Sequence, residues 1–173
     1  MNAQKNVIVV MGVAGSGKST VAELVAHELG WTLTEADDLH SPDNVEKMAA
    51  GTPLTDADRE PWLRLICRRI ERTDGDQVVA CSALRRRYRD ILGRTNAARV
   101  RFLHLEGSRD LIGSRLDART GHFMPSTMLQ SQLDTLEPLA HDEDGASITI
   151  DGSPQDILRR ALTALDLNPE TAE

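Results

Sequence analysis

The sequence predicts an α/β fold in which about five parallel strands form a sheet flanked by helices. Three observations support this prediction. Short apolar, β-branched runs alternate with segments of helical periodicity along the chain. These runs are apolar at nearly every position, which is typical of strands that are covered on both faces. A glycine-rich turn joins the first run to the first helical segment, as in the first half of a βαβ unit.

The N-terminal elements follow from periodicity and helix-end residues. In order, we predict a strand at 6–11, a helix at 18–29, a strand at 31–36 and helices at 41–50 and 55–72. Gly30 is suited to end the first helix. Thr55 and Asp58 have the spacing of a capping box for the last one, although Pro61 then lies inside the helix.

The C-terminal elements repeat the alternation. We predict strands at 77–81, 100–105 and 147–150, and helices at 83–93, 110–119, 126–136 and 154–165. Ser82 is expected to cap the arginine-rich helix that begins at Ala83. The chain therefore predicts one domain over residues 1–166, with a helical lid at about 110–136 and a frayed tail at 167–173.

Composition narrows the class of protein. Of 173 residues, 40% are hydrophobic but only 3% are aromatic, so an aliphatic core is expected. The net charge of −7 argues against a general nucleic-acid or anionic-membrane surface. No apolar run approaches the roughly 20 residues of a membrane span, and the start lacks a signal-peptide profile. Two cysteines without metal-ligand spacing fit a reduced compartment, and we expect a cytoplasmic protein.

Residues 12–19 (GVAGSGKS) match the P-loop pattern G-x-x-x-x-G-K-[ST] between a predicted strand and a predicted helix. Such glycines let successive backbone N–H groups surround an anion at the helix N-terminus. Lys18 is expected to reach the β- and γ-phosphates, and the Ser19 hydroxyl to bind Mg²⁺. A plain glycine-rich turn would not explain the Lys-Ser pair. The predicted nucleotide-binding residues are Gly12, Val13, Ala14, Gly15, Ser16, Gly17, Lys18, Ser19 and Thr20.

A P-loop alone does not distinguish a kinase from a GTPase or an ATP-driven motor. The chain has no N/T-K-x-D stretch of the kind with which GTPases bind guanine. The strand at 78–80 continues into Cys81 and Ser82 rather than the aspartate that usually holds Mg²⁺ in motors. The pattern therefore favours a kinase acting on a small molecule. The alternatives are a kinase with another acceptor and a nucleotide-binding module without catalysis.

Several segments besides the P-loop carry a family resemblance. They are 37–40 (DDLH), 44–48 (NVEKM), 51–63 (GTPLTDADREPWL), 81–85 (CSALR), 88–90 (YRD) and 119–124 (RTGHFM). Together they resemble the bacterial-type gluconate kinases, from the first strand to about Pro138. The resemblance implies a fold similar to shikimate and nucleoside monophosphate kinases. It also implies transfer from MgATP to the 6-hydroxyl of D-gluconate, giving 6-phosphogluconate, and a homodimer.

Asp37 is the first candidate for orienting the acceptor. It follows the second predicted strand, where a carboxylate can accept a hydrogen bond from the acceptor hydroxyl, serve as a general base or hold a water on Mg²⁺. The ordinary alternative is a turn residue. Asp38 and His40 are better explained by local structure, and Trp62 by packing.

An acceptor with a carboxylate requires cationic groups. The candidates are Lys47, Arg59, Arg85, Arg89 and His122. Arg85 and Arg89 lie four apart on one predicted helix and would face the same ligand, whereas Arg86 and Arg87 would face solvent. Arg85 stands where the family often has lysine. For Lys47 and Arg59 the alternative is an ion pair with Glu46 or Asp56, and for His122 a structural hydrogen bond.

Arg115 and Arg119 are four apart on the helix that leads into the predicted lid. Arginines at such places in P-loop kinases close over the nucleotide, so we expect Arg115 to bind it and Arg119 to stabilise the transferring phosphoryl group. The alternative is a helix whose arginines extend into solvent.

Overall fold

Five parallel strands form the central sheet of the computed structural model, in the spatial order β2-β3-β1-β4-β5. The structure describes residues 4–118 and 126–168. The strands are β1 (Lys5–Met11), β2 (Thr32–Glu35), β3 (Gln77–Ala80), β4 (Ala98–Glu106) and β5 (Gly145–Thr149). The predicted fold class is confirmed. Because β1 lies between β3 and β4, the turn that follows it is at the centre of the carboxyl edge of the sheet.

Helices cover both faces of the sheet. They are α1 (Lys18–Leu29), α2 (Pro42–Ala49), α3 (Asp56–Arg72), α4 (Arg86–Leu92), α5 (Arg109–Asp117), α6 (Ser126–Thr135) and α7 (Pro154–Ala164). Alternate residues of β1 enter two separate buried clusters, with Ile8 and Val10 in one and Val7 and Val9 in the other. This explains the unbroken apolar run in its sequence. In the described part of the chain, no helix is long and apolar enough to span a membrane.

The long helix α3 begins at the predicted capping box. The Thr55 hydroxyl accepts a hydrogen bond from the Asp58 N–H at 3.1 Å, and the Asp58 carboxylate accepts one from the Thr55 N–H at 2.9 Å. The helix continues through Pro61 to Arg72. Trp62, Ile66 and Ile70 form its buried stripe against the sheet, as their spacing predicts.

The start of α4 differs from the prediction. Ala83 is buried with φ +43°, a left-handed conformation that a helix does not contain, and Arg85 is extended. The helix therefore begins at Arg86, not at Ala83. The prediction that Arg85 and Arg89 share a helical face is wrong, because Arg85 precedes the helix.

Arg89 holds this corner of the fold. Its side chain is 1% exposed, and its Nε lies 2.7 Å from a carboxylate oxygen of Glu143, whose side chain is 6% exposed. Its Nη1 donates to the Ala83 carbonyl at 2.9 Å. The expectation that Arg89 binds the acceptor is therefore corrected. The Arg89 guanidinium instead joins the turn at Ala83 to the segment before β5, which contains Glu143.

Arg89→Met is expected to lower the free energy of unfolding by about 3 kcal/mol, because it leaves the Glu143 carboxylate buried without its partner. Urea unfolding measures this loss. The double variant Arg89→Met with Glu143→Leu should recover most of it. Arg99→Ala breaks an exposed pair with Asp144 and should cost less than about 1 kcal/mol. Equal losses in the Arg89 and Arg99 variants would contradict a structural role for Arg89.

Candidate active site

The P-loop connects β1 to α1 at the carboxyl edge of the sheet. Gly15 and Gly17 have φ values of +80° and +91°, which side chains other than glycine rarely adopt. A Cβ at Gly15 would also lie 2.6 Å from Leu116 of α5. Gly17 is the N-cap of α1, so the first N–H groups of this helix are directed towards the mouth of the loop. Lys18 Nζ donates to the Val13 carbonyl at 3.1 Å.

Two side chains from later helices contact the P-loop region. Gln132 of α6 accepts a hydrogen bond through Oε1 from the Ala14 N–H at 2.7 Å. Arg115 of α5 donates to the Ile150 carbonyl, and its Nη1 lies 4.0 Å from the place where a Cβ of Gly17 would be. Arg115 is thus beside the loop, where we predicted a nucleotide-binding arginine. Gln132 was not predicted, because no motif distinguishes it from other polar residues of α6.

Carboxylates gather where β2 ends. Asp37 lies in a 3-10 turn (Ala36–Leu39), and its side chain is 84% exposed. Burial raises the pKa of Glu35, with a further contribution from the charge of Asp37, while the neighbouring Ser19 side chain acts in the opposite direction. Sequence reasoning missed Glu35, which ends the strand without any motif. The described residues contain no group of three or more histidine, cysteine or acidic side chains arranged to hold a metal by themselves.

A packed group fixes the turn that carries Asp37. The Trp62 indole N–H donates to the Ala36 carbonyl at 2.7 Å, and its ring stacks on His40 with the centroids 4.1 Å apart. The Asn44 amide lies 3.3 Å from His40 Nδ1. Burial lowers the pKa of His40, which favours its neutral form. Packing and local roles for Trp62 and His40 agree with the predictions.

A network centred on Asp56 gathers cations near the start of α4. The Asp56 carboxylate accepts a hydrogen bond from the Tyr88 hydroxyl and lies 2.8 Å from Arg87 and 3.8 Å from Arg85. The Tyr88 bond, followed by the arginine charges, lowers the pKa of Asp56. Arg59 donates to the Tyr88 hydroxyl at 3.1 Å. Arg87, predicted to face only solvent, is exposed but also joins this network.

The remaining predicted cations have different positions. Lys47 Nζ donates to Asp58 at 2.8 Å, so its partner is neither Glu46 nor Asp56. This bond contributes most to lowering the pKa of Asp58 to about 2. Lys47 lines a groove of about 770 Å³ between α2 and α3. Arg119 and His122 lie outside the described residues. Arg86, predicted to be solvated, forms a partly exposed pair with Asp142.

The segment after β3 joins the P-loop to the network around Asp56. The Gly12 N–H donates to the Ser82 carbonyl at 3.3 Å, which joins the P-loop to the segment that leads to Arg85. Cys81, at the end of β3, is buried, and burial is the main reason why its pKa is raised to about 12. It also experiences the charges of both Asp37 and Lys18. The loops after β1, β2 and β3 therefore converge at one mouth.

Comparisons with other proteins agree with this arrangement. Residues 7–139 match a family model described as an AAA domain. A gluconokinase from Gluconobacter oxydans (strain 621H) is 43% identical over 165 residues, which cover 94% of this chain and 92% of that protein. The crystal structure of a gluconokinase from Sinorhizobium meliloti 1021 is 43% identical, with a TM-score of 0.87 over 95% of this chain and 94% of that one. Shikimate kinase from Aquifex aeolicus, 12% identical with a TM-score of 0.58 over 96% of this chain and 99% of that one, shares the fold alone.

Proposed function

This chain belongs to the gluconokinase family of P-loop kinases, and from that premise we propose that it transfers the γ-phosphoryl group of ATP to the 6-hydroxyl of D-gluconate, giving 6-phosphogluconate. One observation carries the proposal: the P-loop, the Asp37 turn and the segment before Arg85 meet at one edge of the sheet. An anion-binding loop thus lies beside an exposed carboxylate and a cluster of arginines. That combination suits a phosphate donor and an acidic polyol acceptor.

Phosphoryl transfer depends mainly on alignment and on neutralising charge in the transition state. The backbone N–H groups at Gly15, Gly17 and the start of α1 would hold the phosphate chain of ATP. When ATP binds, the Lys18 ammonium would leave the Val13 carbonyl and bind the β- and γ-phosphates, since a hydrogen bond to an anion is stronger than one to a neutral carbonyl. Asp37 would accept the hydrogen bond of the 6-hydroxyl and orient its oxygen towards the γ-phosphorus.

The residues around Ser19 fit a magnesium ion. The Ser19 side chain interacts with the Glu35 carboxylate, which in turn feels the charge of Asp37, so hard oxygen donors of the kind that Mg²⁺ prefers lie together here. This ion commonly retains waters and phosphate oxygens as further ligands. Ser19 would hold the ion directly and Asp37 through a water. When bound, Mg²⁺ neutralises part of the phosphate charge.

The acceptor carboxylate would bind at Arg85 and Arg59. Their guanidinium groups belong to the Asp56 network, which holds them in place before the acceptor arrives. Lys47 and His122 are further proposed acceptor contacts, with Arg115 on the nucleotide and Arg119 on the transferring phosphoryl group. We also propose a cytoplasmic homodimer, as the family resemblance implies.

Arg85→Ala is expected to raise the KM for gluconate about 30-fold while the KM for ATP stays nearly unchanged, because one charge-assisted contact to the acceptor is lost. Arg85→Lys should recover most of the affinity, since lysine keeps the charge. Steady-state kinetics with each substrate varied in turn measures the effect. Arg64→Ala, which removes an exposed partner of Glu60 on α3, is the control. Equal rises in both KM values would contradict the assignment.

A coupled assay of ADP release tests the function itself. Gluconate, shikimate, nucleoside monophosphates and pantothenate are compared as acceptors, and the phosphorylated carbon is identified by ³¹P–¹H NMR. We expect rapid ADP release with gluconate but not with the other acceptors, and a product phosphorylated at the 6-position. Faster turnover of another acceptor would reject the substrate but retain a small-molecule kinase. ATP binding without stimulation by any acceptor would favour the non-catalytic module.

A further inference from the structure

Gln132 makes a contact with the P-loop that has no role in the phosphoryl transfer described above. Its Oε1 lies 2.7 Å from the backbone nitrogen of Ala14, 118 positions earlier in the chain. A backbone N–H can only donate, so the side-chain amide must present its oxygen there. Ala14 lies between Val13, whose carbonyl accepts from Lys18 Nζ and the Ser16 N–H, and Gly15, which has a left-handed φ. The bond therefore fixes the peptide plane on which the shape of the loop depends.

The helix that carries Gln132 is firmly held. Leu129 is 5% exposed and belongs to the same buried cluster as Val13, Ile112 and Leu116. Leu133 of the same helix and Leu136, which directly follows the helix, also pack against that cluster. Gln132 is thus presented to the P-loop by a packed helix rather than by a loose surface side chain, which lowers the entropic cost of keeping the bond.

The segment after α6 contacts the residues that connect β3 to α4, next to Arg85. The Glu137 N–H donates to the Leu84 carbonyl at 2.7 Å, and its carboxylate accepts from the Arg86 N–H at 2.9 Å. The Gly12 N–H donates to the Ser82 carbonyl, so the P-loop also contacts the segment before α4. Hydrogen bonds therefore connect three parts of the fold to one another: the P-loop, the segment before α4, and α6 with the residues that follow it. A shift of α6 cannot leave both the P-loop and the arginine segment undisturbed.

We propose that Gln132 is a positioning residue for the nucleotide: its amide oxygen holds the Ala14 N–H so that the P-loop is shaped for phosphate before ATP arrives. This inference rests on the proposed nucleotide site but not on the identity of the acceptor. The cost of losing Gln132 then falls on nucleotide binding, because the freed peptide must be ordered again each time ATP binds.

The test compares Gln132→Ala, Gln132→Glu and the control Gln130→Ala, which removes an exposed hydrogen bond to Asp134 on the same helix. Two measurements are made without acceptor: the ¹H–¹⁵N resonance of Ala14, and the Kd of MgAMPPNP by calorimetry. We expect Gln132→Ala to shift the Ala14 amide upfield and to weaken nucleotide binding about five- to tenfold, the equivalent of one net hydrogen bond. Kinetic runs should show the same rise in the KM for ATP, with the KM for the acceptor within about twofold.

Gln132→Glu separates the hydrogen bond from simple packing, because its carboxylate can still accept from Ala14. Its Ala14 resonance should stay close to that of the parent protein, while its added negative charge weakens nucleotide binding in a salt-dependent way. An unmoved Ala14 amide in Gln132→Ala, or a nucleotide Kd equal to that of Gln130→Ala, would overturn the proposal. So would an Ala14 amide that moves equally in the alanine and glutamate variants. If gluconate proves not to be the acceptor, both measurements still decide the role of Gln132.

Discussion

Lys18→Ala will lower kcat about 1,000-fold, the loss expected when one preorganised cationic donor to a transferring phosphoryl group is removed. In the free protein the Lys18 ammonium bonds the Val13 carbonyl, which places it at the mouth of the P-loop before ATP binds. During transfer, negative charge develops on the oxygens around the γ-phosphorus, and no neutral side chain can balance it. Single-turnover measurements at saturating ATP isolate this step from binding.

Two comparisons make the Lys18 result specific. Lys18→Arg keeps the charge but changes its shape, and it should retain more activity than the alanine variant. Lys5 caps the end of α3 through bonds to the Ile70 and Thr73 carbonyls, so Lys5→Ala should lower stability while kcat stays within about threefold. A kcat for Lys18→Ala above about one tenth of the parent value would exclude Lys18 from the chemical step.

The P-loop could be predicted from sequence because its chemistry lies in consecutive residues. Residues 12–19 contain both the glycines for the turn and the lysine and serine for the phosphates, and a helix at 18–29 follows from its apolar spacing and Gly30. The capping box at Thr55 was likewise predictable from two residues three positions apart. In each case the interacting groups are neighbours in the chain, so local rules suffice.

The contacts between distant segments could not be predicted in the same way. Arg89 was expected to bind the acceptor because its spacing to Arg85 suits a helix, but the left-handed corner at Ala83 and the distant Glu143 give it a structural role. Gln132 and Glu35 carry no motif, and only the fold brings them to Ala14 and Ser19. The packing of the helices on the sheet decides which polar side chains meet across long separations in the chain. Hydrophobic periodicity alone does not specify that packing.

Asp37→Asn is expected to lower kcat about 100- to 1,000-fold while the Kd of MgAMPPNP stays within about threefold. The Asp37 side chain is exposed on a turn that Trp62 and His40 hold rigidly, so the substitution alters the carboxylate without disturbing its support. Asp38→Asn, on the next residue of the same 3-10 turn, is the matched control and should leave kcat within about threefold. An equal loss of nucleotide affinity in the Lys18→Ala and Asp37→Asn variants would contradict the division of roles.

Comparison with Asp37→Ala distinguishes the two roles that a carboxylate can have here. Asparagine can still accept a hydrogen bond from the acceptor hydroxyl through its amide oxygen, but it cannot take up the proton. If Asp37 acts as a general base, the asparagine and alanine variants should be equally slow. If it only orients the hydroxyl, the asparagine variant should be faster than the alanine variant by about the tenfold that one hydrogen bond contributes. We expect the two variants to be equally slow, because the 6-hydroxyl must give up its proton during transfer and we propose that the Asp37 carboxylate, besides orienting this hydroxyl, takes up that proton.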